Sequence, residues 1–388
     1  WTVNDSFSFR GYIIVNEECL RGDAAISCLR KIFSLKELKQ ALRSLNGVFS
    51  LIWERENDII FAVDRLRGLP LFYSVVSGEL WIGEDAAGLM DALPQRTIDE
   101  VSAEEYLSTE TFVSGAQTLL KEMQQVQASE ACIFQKDSGA VQHIQYYQTE
   151  HGEFWPDNDL KTLRSEFHAA YTRTGKNLVK ALGGRTAVLP LSGGADSRMI
   201  ATLLKQEGYH NVICYTYGRD GNAESEISRR VAEDLGYPWY MVPYTKQTWQ
   251  DLRTDPALAT YDRYAFAAAS TPHLQDYPAV KYLKENGILP EDSVFVPGHS
   301  GDIPNGNHVV ALYLHQHVSR EECLNSIESG YYLDPSPSIH QRILKNHPLP
   351  ENASVQDYAS LEEWFDTSER QAKYIVNSVR IYEFFGYE

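Results

Sequence analysis

At 388 residues, with 43% hydrophobic and 12% aromatic content, the chain is long enough for two or three packed cores and too apolar to be disordered. Its 53 acidic and 35 basic residues give a formal net charge of −18, which opposes nucleic-acid backbones and anionic membranes as partners. No apolar run reaches the roughly 18 residues of a membrane span, and no signal peptide opens the chain. Five scattered cysteines (Cys19, Cys28, Cys132, Cys214 and Cys323) form no CxxC pair and no metal-type spacing, which fits a cytoplasmic protein with buried thiols at Cys132 and Cys214.

Residues 1–150 read as β-rich. Val48–Trp53, Ile59–Val63, Leu71–Val75 and Leu80–Ile82 are short apolar or alternating runs, punctuated by Asn57-Asp58, Gly68 and Ser77-Gly78. Ser34–Leu45 and Ser102–Ser108 are predicted helices. His151–Asp159, with Gly152, Pro156, Asp157 and Asn158, reads as a linker and helix cap. From Leu160 the pattern changes. Leu160–Leu182 has helical periodicity, Thr186–Leu191 is a buried strand, and Ser197–Glu207 is a helix closed by Gly208. Val212–Tyr217 is the next strand, Ala223–Leu235 a helix ended by Gly236, and Trp239–Val242 a further strand. This alternation predicts a doubly wound parallel sheet with ligands at the carboxyl ends of its strands. Beyond about residue 310 the chain reads as mainly helical, with Pro-rich connections at Asp334–Ser338 and Pro348–Pro350.

The stretch Pro190–Ser197 (Pro-Leu-Ser-Gly-Gly-Ala-Asp-Ser) lies where a strand turns into a helix. Such a junction aims backbone N–H groups and the positive end of a helix dipole at one point, which suits a phosphate. Gly193 and Gly194 let phosphate oxygens approach the backbone, and Ser192 and Ser197 add hydroxyl donors. Asp196 would repel a polyphosphate unless a divalent cation lay between them, so the motif predicts Mg²⁺ together with the nucleotide. The plainer reading is a Gly-Gly turn between strand and helix. No lysine follows the glycines, so this is not the loop that ends in Gly-Lys-Ser/Thr.

Ser-Gly-Gly-x-Asp-Ser resembles the pyrophosphate (PP) loop of ATP pyrophosphatases, a group that includes asparagine, argininosuccinate, GMP and NAD synthetases and several tRNA-modifying enzymes. Leu45–Trp53, Asp64–Tyr73 and Leu80–Leu89 resemble, in order, the second half of the glutaminase domain of asparagine synthetase. Downstream, Tyr215–Gly218 resembles the family strand end that holds adenine, which implicates Leu191 and Tyr217 beside the loop. Ala269–His273 resembles the segment lining the acceptor-acid pocket, and Val296–Asp302 takes the place of the second Gly-rich loop, with Gly298 and Asp302 at its key positions. The resemblance, from about Leu45 to Glu388, identifies the chain as a member of the asparagine synthetase family. It implies an α/β protein with two domains. Residues 1–150 would form a degenerate, α+β, Ntn-hydrolase-like layered domain. Residues 151–388 would form a PP-loop domain of the adenine nucleotide α-hydrolase type with a helical C-terminal part. ATP and Mg²⁺ are the implied cofactors, with Asp196 and Asp302 sharing the ion.

Three departures shape the expected function. Glutaminases of this type attack through an N-terminal Cys, whereas this sequence begins Trp1-Thr-Val-Asn. The expectation is a shortened domain without its own glutaminase activity, the alternative being a sequence that lacks its natural N-terminus. The family glutamate of the second loop is replaced by His299. In the β-lactam synthetases, which also lack the catalytic Cys, that position pairs with a C-terminal glutamate, so the resemblance implies a His299–Glu388 base. The plainer reading has His299 binding a backbone carbonyl or an ATP oxygen. The family lysine that would follow cannot be assigned. Arg380 could offset phosphate charge, although an exposed helix arginine is the plainer reading. The expected activity is formation of an amide from a small-molecule carboxylate and an amine or ammonia, by way of AMP and pyrophosphate, with a partner glutaminase or a second copy of the chain as candidate partners. A β-lactam-synthetase-like intramolecular closure, a nucleotide-binding regulator and a tRNA-modifying enzyme are the alternatives.

Overall fold

The computed structural model describes residues 1–150, 159–301, 311–314, 317–348 and 351–388. They form two units. The first is built from the described residues of Trp1–Gly152, Arg263–Pro272 and His308–Asn377, and the second from those of Glu153–Asp262, His273–Asn307 and Ser378–Glu388.

The first unit opens with β1 (Thr2–Asn4), β2 (Phe7–Val15), β3 (Glu18–Arg21), α1 (Gly22–Leu35), α2 (Leu38–Arg43), β4 (Asn46–Glu54) and β5 (Asp58–Val63). It continues with β6 (Phe72–Val76), β7 (Glu79–Gly83), α3 (Ala86–Ala92), α4 (Glu100–Thr109), β8 (Gln124–Gln125), β9 (Glu130–Gln135) and β10 (Val141–Gln145). The second unit contains α5 (Leu160–Leu182), β11 (Ala187–Pro190), α6 (Ala195–Gln206), β12 (Val212–Gly218), α7 (Ala223–Leu235) and β13 (Trp239–Pro243). It goes on through α8 (Lys246–Thr254), most of α9 (Leu258–Phe266), α10 (Tyr277–Glu285) and β14 (Val294–Phe295). The chain then returns to the first unit for α11 (Arg320–Tyr331), α12 (Pro337–Asn346), α13 (Val355–Phe365) and a π-helical stretch, Asp366–Ile375. It ends in the second unit with α14 (Arg380–Phe384).

Antiparallel strands in the order β1-β2-β4-β5-β9-β10, with β3 on the side of β2, make the main sheet of the first unit. Its strands alternate, so β5 sends Ala62 to one face and Phe61 and Val63 to the other. Ala25, Ile26 and Leu29 of α1 cover the first face together with Phe7, Phe9 and Leu51. Leu71 and Tyr73 close the second face, next to the small sheet β7-β6-β8. This is the layered arrangement expected from the sequence. The predicted helix Ser34–Leu45 is broken instead, because Lys36 is extended (φ −136°, ψ 151°) between α1 and α2. The strands β1–β3, β9 and β10, together with α1, had not been anticipated.

The second unit carries the expected parallel sheet, in the order β13-β12-β11-β14. Helices α5 and α7 have the predicted bounds, and Gly183 and Gly236 close them in the left-handed region. The linker expected at His151–Asp159 lies outside the described residues except for Asp159. That residue caps α5 by accepting the Thr162 N–H (3.3 Å). Among the described residues no helix is long and apolar enough to cross a membrane. Cys132 and Cys214 are buried thiols, as expected.

A division at residue 150 is not what the contacts make. Val113 and Leu119 donate backbone N–H bonds to Ala269 O (2.9 Å) and Ala268 O (2.7 Å), which ties 263–272 to the first unit. The π-helical stretch is tied by charge. Glu369 accepts from Gly115 N–H (3.1 and 3.0 Å), from His347 Nε2 (2.7 Å) and from the ammonium of Lys373. Lys373 Nζ also donates to Val113 O (3.0 Å) and Gly115 O (2.8 Å). Its ion pair with Lys373 and the donors around it hold the Glu369 carboxyl down at about 2 in spite of burial. The stabilisation this gives is complete above the ordinary glutamate range and is lost as pH falls towards 2. Removing one partner leaves the other charge buried alone, which costs about 3–5 kcal/mol. Lys373→Met should therefore lower the unfolding free energy measured by urea denaturation by about 3–5 kcal/mol at neutral pH. The deficit relative to wild type should shrink in acid as Glu369 becomes protonated.

Candidate functional site

The central strand β11 is fully buried at Ala187, Val188 and Leu189 and runs parallel to β12 on one side and β14 on the other. The sheet pairing ends at Leu191, whose N–H donates to Tyr215 O (2.8 Å) and whose carbonyl accepts from the Thr216 hydroxyl. The chain then turns through Ser192–Gly194 into α6. Gly194 is the N-cap, with φ −69° and ψ 161°, and no side chain caps the helix. The neighbouring helices α7 and α8 are capped by Asn222 and Thr245. Gly194 and Ala195 are exposed, so the positive end of α6 opens on solvent. The loop holds itself in shape. Ser192 N–H donates to Ser197 Oγ (3.1 Å), Gly194 N–H donates to Ser192 Oγ (3.1 Å), and the two hydroxyl oxygens are 3.1 Å apart.

A second loop leaves β14 alongside it, started by a bond from Val296 N–H to Val188 O (2.9 Å). A Cβ on Gly298 would sit 2.7 Å from Ser197 N and 2.9 Å from its Cα, and one on Gly301 would sit 2.3 Å from the Asp196 Cγ. Only glycine permits that approach. On the other side, a Cβ at Gly193 would come within 3.3 Å of Glu224 Cα, at the start of α7. Asp196 is half-buried in the first turn of α6, facing Gly301, and has no hydrogen-bond or ion-pair partner among the described residues. Asp302, the expected second metal ligand, lies outside the described residues.

At the end of β12, Tyr217 donates its hydroxyl to one oxygen of the buried Asp276, and Tyr382 donates to the other (2.8 Å). The Tyr244 ring stacks on Tyr217 with centroids 5.0 Å apart and planes 18° from parallel. Burial and the Asp276 charge both push the Tyr217 phenol up, so it remains a neutral donor. His299 Nδ1 lies 2.8 Å from Ser378 Oγ. Desolvation lowers its imidazole pKa, with Asp276 pulling the other way and His273 adding to the lowering. Desolvation lowers His273 as well. Both rings are therefore held towards the neutral, proton-accepting form.

Leu191, Ser192, Gly193, Gly194, Asp196 and Ser197 come together with Gly298 as one corner, with Tyr217 at the adjoining strand end. The expected His299–Glu388 pair does not form. Glu388 O accepts from Phe295 N–H (2.7 Å), and its carboxylate pairs with Arg185 (2.6 Å), the residue just before β11 begins. Its backbone runs beside Ser293–Phe295 and its carboxylate is drawn to Arg185 ahead of the amino end of β11, whereas His299 follows the carboxyl end of β14. Arg380 is not an exposed helix arginine; it is buried, with a guanidinium nitrogen 3.1 Å from Glu383. Ser270 and Thr271, expected in an acceptor pocket, spend their hydroxyls inside the first unit on Lys373 O (3.1 Å) and Glu110 O (2.8 Å). Asp276 and Ser378 had been missed. Each is an isolated residue within no motif, brought to the site only by the fold.

Residues 20–147 match the family model described as a glutamine amidotransferase domain, and residues 184–302 match the one described as asparagine synthase. The first match begins well upstream of Leu45, so the N-terminal likeness is longer than the motifs alone suggested. Asparagine synthetase [glutamine-hydrolyzing] 1 of Bacillus subtilis is 22% identical over 202 residues, covering 51% of this chain and 31% of that protein. The tRNA-specific 2-thiouridylase MnmA of Shouchella clausii is 33% identical over 111 residues, covering 26% of this chain and 29% of that protein. The matched regions thus span about three tenths of these relatives' lengths. Among solved structures, the NH3-dependent NAD synthetase of Campylobacter jejuni aligns with a TM-score of 0.27 at 16% identity, over 49% of this chain and 99% of that one. The two domain matches lie in this order along the chain, a glutamine amidotransferase domain followed by an asparagine synthase domain, an arrangement consistent with the asparagine synthase family.

Proposed function

We propose that the chain is an ATP-dependent, amide-forming ligase that activates a small-molecule carboxylate as its adenylate. The observation that carries this reading is the uncapped, solvent-open end of α6, with an Asp196 in its first turn that has no partner among the described residues and a second loop pressed against it at Gly298 and Gly301. The triphosphate of ATP would take the free N–H groups and the Ser192 and Ser197 hydroxyls, with the adenosine towards Tyr217. Asp196 and Asp302 would hold Mg²⁺, which when bound supplies the positive charge that lets a carboxylate and a polyphosphate share one corner.

In the first step a substrate carboxylate oxygen bonds to the α-phosphorus, the α–β anhydride bond breaks, and pyrophosphate leaves. In the second step an amine or ammonia attacks the acyl carbon, AMP leaves with the bonding pair, and the nitrogen gives up a proton. His299 is suited to accept it. With Nδ1–H donated to Ser378 Oγ, Nε2 is an acceptor, and the lowered pKa keeps the ring neutral. Asp276 positions Tyr217 and Tyr382 and sets the local charge. Within the first unit, burial pushes up the thiols of both Cys28 and Cys132. Neither is a ready nucleophile toward glutamine, and in this reading the nitrogen comes from free ammonia, a substrate amine or a partner glutaminase. The likeness to 2-thiouridylases covers about a quarter of the chain, whereas the two amidotransfer-related domain matches lie on both sides of the 151–158 segment, which favours the ligase. A purely regulatory nucleotide binder is the competing reading, and it would release no pyrophosphate.

ATP–pyrophosphate exchange against a panel of carboxylates, with and without ammonia and glutamine, tests this reading. Exchange that depends on one carboxylate class is expected, and glutamine should add nothing; no exchange with any acid would leave the regulatory reading standing. Asp196→Asn should cut exchange by on the order of 100-fold while circular dichroism is unchanged. Gly298→Ala should do the same by pushing the two loops apart, with the loss appearing mainly in the KM for ATP. His299→Asn should keep exchange but slow amide formation by about 100-fold. The wild-type rate should fall only as pH drops below about 6.5, the ordinary histidine value, because the base is lost on protonation and its pKa is lowered.

A further inference from the structure

A second cluster of reactive side chains lies in the first unit, outside the nucleotide corner. Glu130 and Cys132 are two residues apart on β9 and therefore share a face of the sheet. His143 on β10 is the direct antiparallel partner of Cys132, so it projects from the same face. The three donor atoms all lie within 4.8 Å of one another. Cys132 Sγ is 3.6 Å from His143 Nδ1, and Nδ1 is 2.9 Å from Glu130 Oε1. Tetrahedral zinc bonded to sulfur at about 2.3 Å, and to nitrogen and oxygen at about 2.0–2.1 Å, would set its ligands about 3.3–3.6 Å apart, so the sulfur–nitrogen separation already fits and an ion would replace the shorter His143–Glu130 hydrogen bond.

The surroundings match those of metal ligands. The second oxygen of Glu130 accepts the Gln127 N–H (2.8 Å), which fixes the carboxylate. The other nitrogen of His143, Nε2, lies 3.4 Å from the Tyr73 hydroxyl, and that hydroxyl is in turn bonded to Gln124 Oε1. An imidazole that binds through one nitrogen and is oriented through the other is the usual form of a metal-bound histidine. Cys132 and Glu130 are buried, and Phe61 and Phe134 help wall the thiol, while the His143 side chain stays 40% exposed and leaves one open side. Glu130 raises the pKa of His143, and burial together with Glu130 holds the thiol protonated.

We propose that Glu130, Cys132 and His143 bind one divalent transition-metal ion of the zinc type, with a fourth position open to solvent or a small ligand. The mixed S, N and O donor set selects zinc-like ions over Mg²⁺, so this site is chemically distinct from the nucleotide corner. Binding forms three protein–metal bonds, takes the proton from the Cys132 thiol and releases it to solvent. Two of the ligands are two positions apart on β9 and the third is eleven positions further on across a hairpin, which is why no ligand spacing stands out in the sequence.

The test is a titration of the chelator-stripped full chain with Co²⁺ and then Zn²⁺. One equivalent of Co²⁺ should produce a thiolate-to-cobalt charge-transfer band, release a proton, and be displaced by Zn²⁺ but not by Mg²⁺. Cys132→Ser should abolish the band. His143→Gln, on the exposed side where the fold is least at risk, should abolish tight binding with unchanged circular dichroism. Tyr73→Phe should weaken binding by about 10–100-fold. Asp196→Asn should leave the band intact. A folded wild-type chain with no charge-transfer band, or a band that survives in His143→Gln, would overturn the proposal.

Discussion

Where the carboxyl ends of β11 and β14 lie side by side, two stretches of backbone come closer together than any side chain would permit. Gly298 rests on the amide of Ser197, and Gly301 rests on the carboxylate of Asp196. The parallel sheet makes this meeting unavoidable, since both strands deliver their loops to the same end. The rest of the corner follows from it. The N-cap of α6 is Gly194, which has no side chain to cap the helix, so the exposed start of α6 is left open. Asp196 is held at the mouth, facing a loop of backbone instead of a neutralising lysine or arginine.

Neutral donors dominate the adjoining wall. Tyr217 and Tyr382 give both of their hydroxyl protons to Asp276, and the two histidines nearby are kept uncharged by desolvation. A carboxylate satisfied by phenols costs less to bury than one left bare, and it leaves the wall without a fixed cation. Such a wall orients a polar substrate without competing with it for the phosphates. In the first unit buried charge is handled differently, by direct neutralisation, as with Glu369 and Lys373.

What could be read from the sequence was what is encoded locally. The strand–turn–helix at Ala187–Gln206 declared itself through an apolar run, two glycines and a helical period, and the structure places α6 only two residues earlier than that pattern implied. Helices α5 and α7 were equally plain because both end in a left-handed glycine. Contacts between residues far apart in sequence were not legible. Nothing near Asp276 or Ser378 signals a site, and the His–Glu pair inferred from likeness fails because Glu388 is drawn to Arg185 at the other end of the sheet. β9 had no turn signal ahead of it strong enough to mark it, and its partner β10 is too polar at Gln142 and His143 to stand out. The division into units was hidden for the same reason. A buried lysine in a polar helix looks, in one dimension, like a surface residue.

The interleaving of the two units has a consequence for how the protein is made. Ribosomes release a chain from its amino end, and a domain laid out contiguously can close as soon as its last residue clears the exit tunnel. Here the amino-terminal sheet must wait for 263–272 and then for the charged π-helical stretch, so its interior cannot be sealed until synthesis has passed Ile375. Both units stay incomplete until synthesis has passed the π-helical stretch. Through that interval the nascent sheet has its apolar and ionic faces uncovered, which makes the late helices a natural point for chaperone dependence.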